Sequence, residues 1–381
     1  MPSVRLLDKV CQTPTMVVGV EKEREHPYPS RSLYGALSVR SNERGIAMST
    51  RHLFVLVGIS ASYMQDLLGE GQLRKLAHAH PRVQVDIVDE PAQFAARVSH
   101  ADAAIVQARF RFPPDVLRPE ARLRWIQVFT AGVQQFLTPE LVAADHVTIT
   151  SSKGPMAPLM AEHAVMLMLA LARNLPGYLH SQAQHVWSRQ DYAIPFMRQL
   201  FRKTIAILGV GGVGGHLAQI CKSGFGMQVL GMARTSRGHP AIDRYFQRSE
   251  LHTALGEADV VALCLPLTPA TARIIDAEAL AAMKPTAYLI NVARGPLVDE
   301  EALIHALQQG QIAGAGLDAT TVEPLPEASP LWTLPQVILT PHVAPGTDGL
   351  GANLVDFWCE NIRRFAEHEP LLGVVDRHTG Y

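Results

Sequence analysis

Apolar runs of four to nine residues, each broken by polar turn residues, recur along the chain from about residue 50. HLFVLVG at 52 to 58, RVQVDIV at 82 to 88, DAAIVQ at 102 to 107, LRWIQVF at 123 to 129 and VTIT at 147 to 150 read as strands. Stretches of helical period separate them, so this alternation predicts an α/β domain with a parallel sheet. A long amphipathic-to-apolar helix is expected from Pro158 to Arg173. After it the alternation resumes with TIAILGV, MQVLGMA, ADVVALCLP, AYLINVA, IAGAGLDA and QVILTPH, interleaved with helical stretches such as Asp299 to Gln308. This second series predicts a doubly wound dinucleotide-binding sheet. A last amphipathic helix, Leu354 to Ala366, is expected to pack back onto the first domain.

The expected architecture is therefore α/β in two domains, with a Rossmann-type unit inserted into a smaller one. Residues 48 to 155 and 343 to 381 would form the substrate domain, and residues 156 to 342 the dinucleotide-binding domain with its connecting helix. Residues 1 to 47 mix charge, Pro and Ser without a sustained period and read as a poorly ordered extension, with Met48 a candidate start. They lack the apolar core of a secretory signal, and their Glu residues disfavour a transit peptide.

Composition narrows the partners. A chain of 381 residues with 48% hydrophobic and 18% charged residues is globular and long enough for two cores. A formal net charge of −1 supplies no general field for nucleic acid or anionic membrane, so small molecules are the expected partners. The uninterrupted apolar run from Ala164 to Ala172 is about half of what a membrane span needs. Cys11, Cys221, Cys264 and Cys359 show no metal-ligand spacing, and reduced thiols of a cytoplasmic protein fit best. The histidines form no HExxH, and Glu162-His163 reads as a helix-start pair, so no metal is expected.

The cluster Gly209-Val210-Gly211-Gly212-Val213-Gly214 follows an apolar strand and opens a helix. There glycines let a pyrophosphate approach the helix N-terminus, where unpaired N–H groups and the dipole favour an anion. At the end of the next strand, where NAD-binding chains carry an acidic residue, stands Ala233-Arg234-Thr235-Ser236-Arg237. Two guanidinium groups and two hydroxyls suit a 2′-phosphate, so NADP(H) is the expected cofactor, with NAD(H) also admitted. A solvated basic loop is the bland alternative. Pro266, ending ADVVALCLP, joins the cofactor set.

Arg294, Glu323 and His342 each stand just past a strand-like run, where an open parallel sheet gathers its ligands. A cation, a carboxylate and an imidazole are what reduction of a 2-oxo acid requires: an anchor for the anion, a proton donor, and a group to hold that donor charged.

Four segments then carry a family likeness: GVGGVGG at 209 to 215, INVARGPLVDEEAL at 290 to 303, GLDATTVEPLPEASPLW at 316 to 332, and LTPHVAPG at 339 to 346. The chain resembles the D-isomer-specific 2-hydroxyacid dehydrogenases, with glyoxylate and hydroxypyruvate reductases nearest in character. The resemblance implies a flavodoxin-like substrate domain and hydride transfer from NAD(P)H to C2 of a small 2-oxo acid. It also implies that Arg294 binds the carboxylate and carbonyl oxygen, that His342 protonates that oxygen, and that Glu323 hydrogen-bonds the imidazole. Asp318 looks like the aspartate near the nicotinamide carboxamide. Ala131 and Gly132, after LRWIQV, resemble the loop whose backbone N–H groups hold the substrate carboxylate, although Gln134 stands where the family often has Asp. A homodimer is implied too, with the Pro158 to Arg173 helix either an interface or core. The competing readings are a formate dehydrogenase, whose relatives carry Gln where Glu323 stands, and a dinucleotide-sensing corepressor.

Overall fold

The computed structural model describes residues 52–187, 197–233, 238–377 and 379–380. The expectations for residues 1 to 47 and for Arg234 to Arg237 lie outside the described residues.

Among the described residues, twelve strands fall into two sheets whose strand-to-strand pairings are all parallel. The first contains β1 (Leu53–Gly58), β2 (Val83–Val88), β3 (Ala103–Val106), β4 (Trp125–Val128) and β5 (Thr148–Ser151), in the order β2-β1-β3-β4-β5. That is the flavodoxin-like winding, with its reversal between β1 and β3. The second contains β6 (Thr204–Leu208), β7 (Gln228–Met232), β8 (Arg244–Phe246), β9 (Val260–Leu263), β10 (Tyr288–Asn291), β11 (Gly314–Leu317) and β12 (Val337–Leu339). Their order, β12-β11-β10-β9-β6-β7-β8, is the doubly wound dinucleotide arrangement, reversing between β6 and β9.

The central strands are buried on both faces, which is why they read as continuous rather than alternating apolar runs. The edge strand β8 escaped the sequence reading, because RYF is too short and too polar to stand out.

The long helix runs Lys153–Ala172, not from Pro158. Pro158 sits near its start, where the fixed φ is compatible with the helix and the missing N–H forfeits a single bond. At 20 residues this helix is long and apolar enough to pass for a membrane span. Its Ala161, Ala164, Leu167 and Met168 are nonetheless fully buried in the core of the seven-stranded sheet. The glycine-led helix runs Gly212–Phe225, and the last helix Leu350–Ala366 rather than from Leu354.

That last helix returns to the five-stranded sheet. Trp358 packs on Phe129 with ring centroids 5.3 Å apart, and its Nε1 donates to Ser152 Oγ at 3.1 Å. Asn361 Nδ2 donates to Gln127 Oε1 at 3.1 Å, while Gln127 Oε1 also accepts from Thr150 Oγ1 at 2.7 Å. Such buried polar groups tolerate burial only when paired, and their pairing fixes how the helix seats.

Candidate active site

The crevice of the seven-stranded sheet is built by glycines with distinct tasks. Gly209 turns the chain out of β6 with φ at 103°, and a Cβ there would stand 2.7 Å from the backbone of Cys264. Only glycine lets the ends of β6 and β9 come this close. Gly212 packs on the long helix, its would-be Cβ 3.1 Å from that of Ala157. A Cβ on Gly211, by contrast, would meet nothing within 4 Å, so the turn faces open space at the start of a 14-residue helix.

The first bond of that helix joins Gly215 N–H to Gly211 O at 2.9 Å, and the N–H groups of Gly212, Val213 and Gly214 have no backbone partner among the described residues and are open to an anion. These residues fit a dinucleotide pyrophosphate. Pro266 lies in the facing loop, its carbonyl stapled by Thr271 Oγ1 at 2.7 Å. Asp243, the next carboxylate after Ala233, accepts from Val229 N–H at 2.8 Å and from Lys222 Nζ. Although burial opposes it, these bonds hold its carboxyl below the usual range, so it stays ionised and engaged within the fold.

The chemistry-bearing groups come from both sheets. Phe129 ends the run of β4 and leads into Thr130, Ala131 and Gly132, where Thr130 Oγ1 ties back to the Gly132 carbonyl at 2.6 Å. Arg294 follows β10. Asn291 holds its backbone by donating Nδ2 to the Arg294 carbonyl at 2.9 Å, and Nη1 of Arg294 donates to Ala293 O at 2.6 Å. A Cβ on Gly132 would stand 2.4 Å from Arg294 Nη2, so the guanidinium lies directly on the Ala131–Gly132 loop. Burial draws the Arg294 guanidinium below its ordinary value, and the Glu323 carboxylate partly opposes this. An arginine so placed is still a cation, poorly hydrated and suited to receive an anion.

Glu323 and His342 meet at 2.7 Å between Oε2 and Nδ1. Glu323 is itself fixed by Thr320 N–H, which donates to Oε1 at 3.1 Å. With Nδ1 engaged, the outer Nε2 is the nitrogen left for a substrate. The Arg294 and Glu323 loops are pressed together, since a Cβ on Gly295 would fall 2.0 Å from the Thr320 carbonyl carbon.

Asp318 is buried beneath this cluster. Its carboxylate accepts from Thr340 Oγ1 at 2.6 Å and from the N–H groups of Val343 and Ala344, both at 3.0 Å. His163 proves to lie within the long helix, not at its start, and its Nε2 is 2.9 Å from Thr340 Oγ1. Sequence reasoning missed Thr340, Asn291 and the reach of His163. The LTPH motif contains Thr340 but gives no sign that its hydroxyl points inward.

Residues 165–344 match the family described as D-isomer specific 2-hydroxyacid dehydrogenase, NAD binding domain. Glyoxylate/hydroxypyruvate reductase B of Serratia proteamaculans is 38% identical over 233 residues, 61% of this chain and 71% of that protein. The chain belongs to the D-isomer specific 2-hydroxyacid dehydrogenase family.

D-3-phosphoglycerate dehydrogenase of Synechocystis is 32% identical over 326 residues, 85% of this chain but only 56% of that longer protein. Among solved structures, an NADPH-dependent glyoxylate/hydroxypyruvate reductase from Sinorhizobium meliloti, in complex with NADP and sulfate, is similar with a TM-score of 0.70 and 28% identity. It covers 86% of this chain and 100% of its own. Members of this family are NAD(P)-dependent oxidoreductases acting on a CH–OH group, and the residues matched to the NAD binding domain span the whole seven-stranded sheet.

Proposed function

We propose that this D-2-hydroxyacid dehydrogenase reduces a small 2-oxo acid of the glyoxylate or hydroxypyruvate class to the D-2-hydroxy acid, preferring NADPH. The observation that carries the reading is that Arg294 lies against Gly132, within the electrostatic reach of a Glu323 carboxylate that is itself paired to His342. One anion anchor and one proton donor held by a carboxylate are the groups such a reduction needs.

Arg294 grips the carboxylate and the carbonyl oxygen of the oxo acid, with the N–H groups of Ala131 and Gly132 completing the anion site. His342 gives the Nε2 proton to the carbonyl oxygen as negative charge develops there, and Glu323 stabilises the imidazolium and fixes its orientation. The bound nicotinamide supplies the hydride. Gly209, Gly211, Gly212, Val213 and Gly214 hold the pyrophosphate, Pro266 borders the dinucleotide, and Arg234, Thr235, Ser236 and Arg237 take the 2′-phosphate. Asp318 acts beside the nicotinamide through the loop it supports.

In this reading residues 48 to 155 and 343 to 381 bind the substrate, and residues 156 to 342 bind the dinucleotide. A homodimer is part of the proposal: Met166, Leu169, Leu175, Tyr178 and Leu179 are exposed on consecutive helices, an apolar area that supports association with a second copy. The test is consumption of NADPH and NADH with a panel of 2-oxo acids and with formate and NAD(P)+ in reverse. Turnover of glyoxylate or hydroxypyruvate with NADPH is expected. Turnover of formate, or tight NADPH binding without any turnover, would replace this reading.

A further inference from the structure

Behind His342 runs a line of hydrogen bonds of which the proposed chemistry uses only Asp318. Thr340 Oγ1 lies 2.6 Å from Asp318 Oδ1, and an ionised carboxylate can only accept, so the hydroxyl proton goes to Asp318. The Thr340 oxygen then accepts from His163 Nε2 at 2.9 Å, which fixes that nitrogen as the one bearing hydrogen. The same Asp318 carboxylate takes the N–H groups of Val343 and Ala344. His342 thus sits between a side chain and a backbone that are both held by one buried group.

Its own conformation shows why holding is needed. His342 has φ at 55°, in the left-handed region that a residue with a Cβ adopts only under constraint, and its N–H reaches back to Thr340 O at 3.0 Å. Without Asp318 gripping the segment on both sides, the loop would relax and carry the imidazole away from Glu323 and from the crevice. Asp318 must in turn be aimed. The Thr340 hydroxyl points Oδ1 at the Val343 N–H, and His163 aims that hydroxyl from a helix whose neighbouring Ala164 and Leu167 are fully buried.

We infer that Thr340 and His163 are positioning residues that act through Asp318 to hold His342 in its left-handed, donor-ready conformation. The inference rests on the proposed role of His342 as proton donor. Its prediction is specific to the hydroxyl: Thr340→Val keeps the shape and loses the bond, whereas Thr340→Ser keeps the bond.

The experiment compares full-length Thr340→Val, Thr340→Ser, His163→Leu and His163→Gln with the parent for reduction of the best 2-oxo acid. It records kcat, KM for both substrates, and the solvent deuterium isotope effect on kcat. Displacing a reacting group by a fraction of an ångström to one ångström costs on the order of ten- to a hundred-fold in rate. Thr340→Val should therefore lose about ten-fold or more in kcat with KM for NADPH held, and a larger isotope effect as proton transfer becomes more limiting. Thr340→Ser should recover most of the loss. His163→Leu should follow Thr340→Val at smaller amplitude, and His163→Gln, which can still donate, should lie closer to the parent.

Parent-like kcat and isotope effect in both Thr340→Val and His163→Leu would overturn the inference, provided that His342→Gln is inactive. Parent-like turnover in His342→Gln would instead overturn the underlying role of His342. If Thr340→Val does not fold, the His163→Leu and His163→Gln pair decides, with equal kcat in the two counting against the inference.

Discussion

A methyl group built on Gly132 would stand 2.4 Å from Nη2 of Arg294, although the two residues are far apart in the chain and follow strands of different sheets. The glycine is what lets the guanidinium lie on the Ala131–Gly132 loop. Gly132→Ala should push Arg294 off this loop while leaving the strands untouched. A fall in kcat/KM of roughly ten- to a hundred-fold is expected, with the melting temperature nearly unchanged. Parent-like kinetics in Gly132→Ala would mean that Arg294 does not act from this position.

Arg294→Lys keeps the charge and loses the fork. An ammonium is a point donor and cannot span the carboxylate and carbonyl oxygens together. A loss on the order of 2 to 4 kcal/mol in transition-state stabilisation is expected, read from kcat/KM for the oxo acid. The affinity for NADPH in the absence of substrate should be unaffected.

Glu323→Gln separates orientation from charge at the 2.7 Å pair with His342. The amide oxygen can still accept from Nδ1, so the imidazole stays aimed, but the negative charge that stabilises imidazolium is gone. Single-turnover reduction should slow by about ten-fold or more, and Glu323→Ala, which loses both contributions, should be slower still. Equal rates for the two variants would reduce Glu323 to an electrostatic role alone.

In the proposed reading, cofactor choice depends on the end of β7. Asp243 is engaged by Lys222 and by Val229 N–H, and Ala233 offers no carboxylate to chelate a ribose diol or repel a phosphate. One charge-assisted bond to a 2′-phosphate contributes roughly 1.5 to 3 kcal/mol, enough for about ten-fold discrimination or more. Ala233→Asp combined with Arg234→Ser should reverse the preference, as judged by kcat/KM for NADPH and NADH. Better use of NADH by the parent would remove this reading of the loop.

Acid stability should owe part of its profile to Glu360. The Arg363 guanidinium, with Arg364, draws the Glu360 carboxyl from its ordinary 4.5 to about 2. A folded value below the unfolded one means a contribution that is complete above about pH 4.5 and fades as the pH falls towards 2. The melting temperature of Glu360→Gln should lie below the parent's near neutrality, and the difference should close across that window. A gap unchanged at low pH would count against the ion pair as its source.

The sequence by itself determined eleven of the twelve described strands, the glycine turn and the candidates for the site. Buried parallel strands are continuous apolar runs, and residues that follow them gather at one edge of a sheet, so Arg294, Glu323 and His342 could be singled out from neighbours in the chain alone. The sheet edge β8 was lost because Arg244–Phe246 has neither the length nor the apolar content to register. The early start of the long helix was lost because Pro158 looks like a boundary when read locally.

The tertiary structure alone decided the contacts between distant segments. That Gly132 touches Arg294 depends on two sheets bringing their edges together, and no local pattern encodes that approach. That His163 reaches Thr340, and that Asp318 turns its carboxylate onto Val343 and Ala344, depends on how the long helix packs across β10 to β12. Hydrophobic period is a property of neighbours in the chain, whereas the aim of a hydroxyl or an imidazole is set by whichever remote groups packing places beside it.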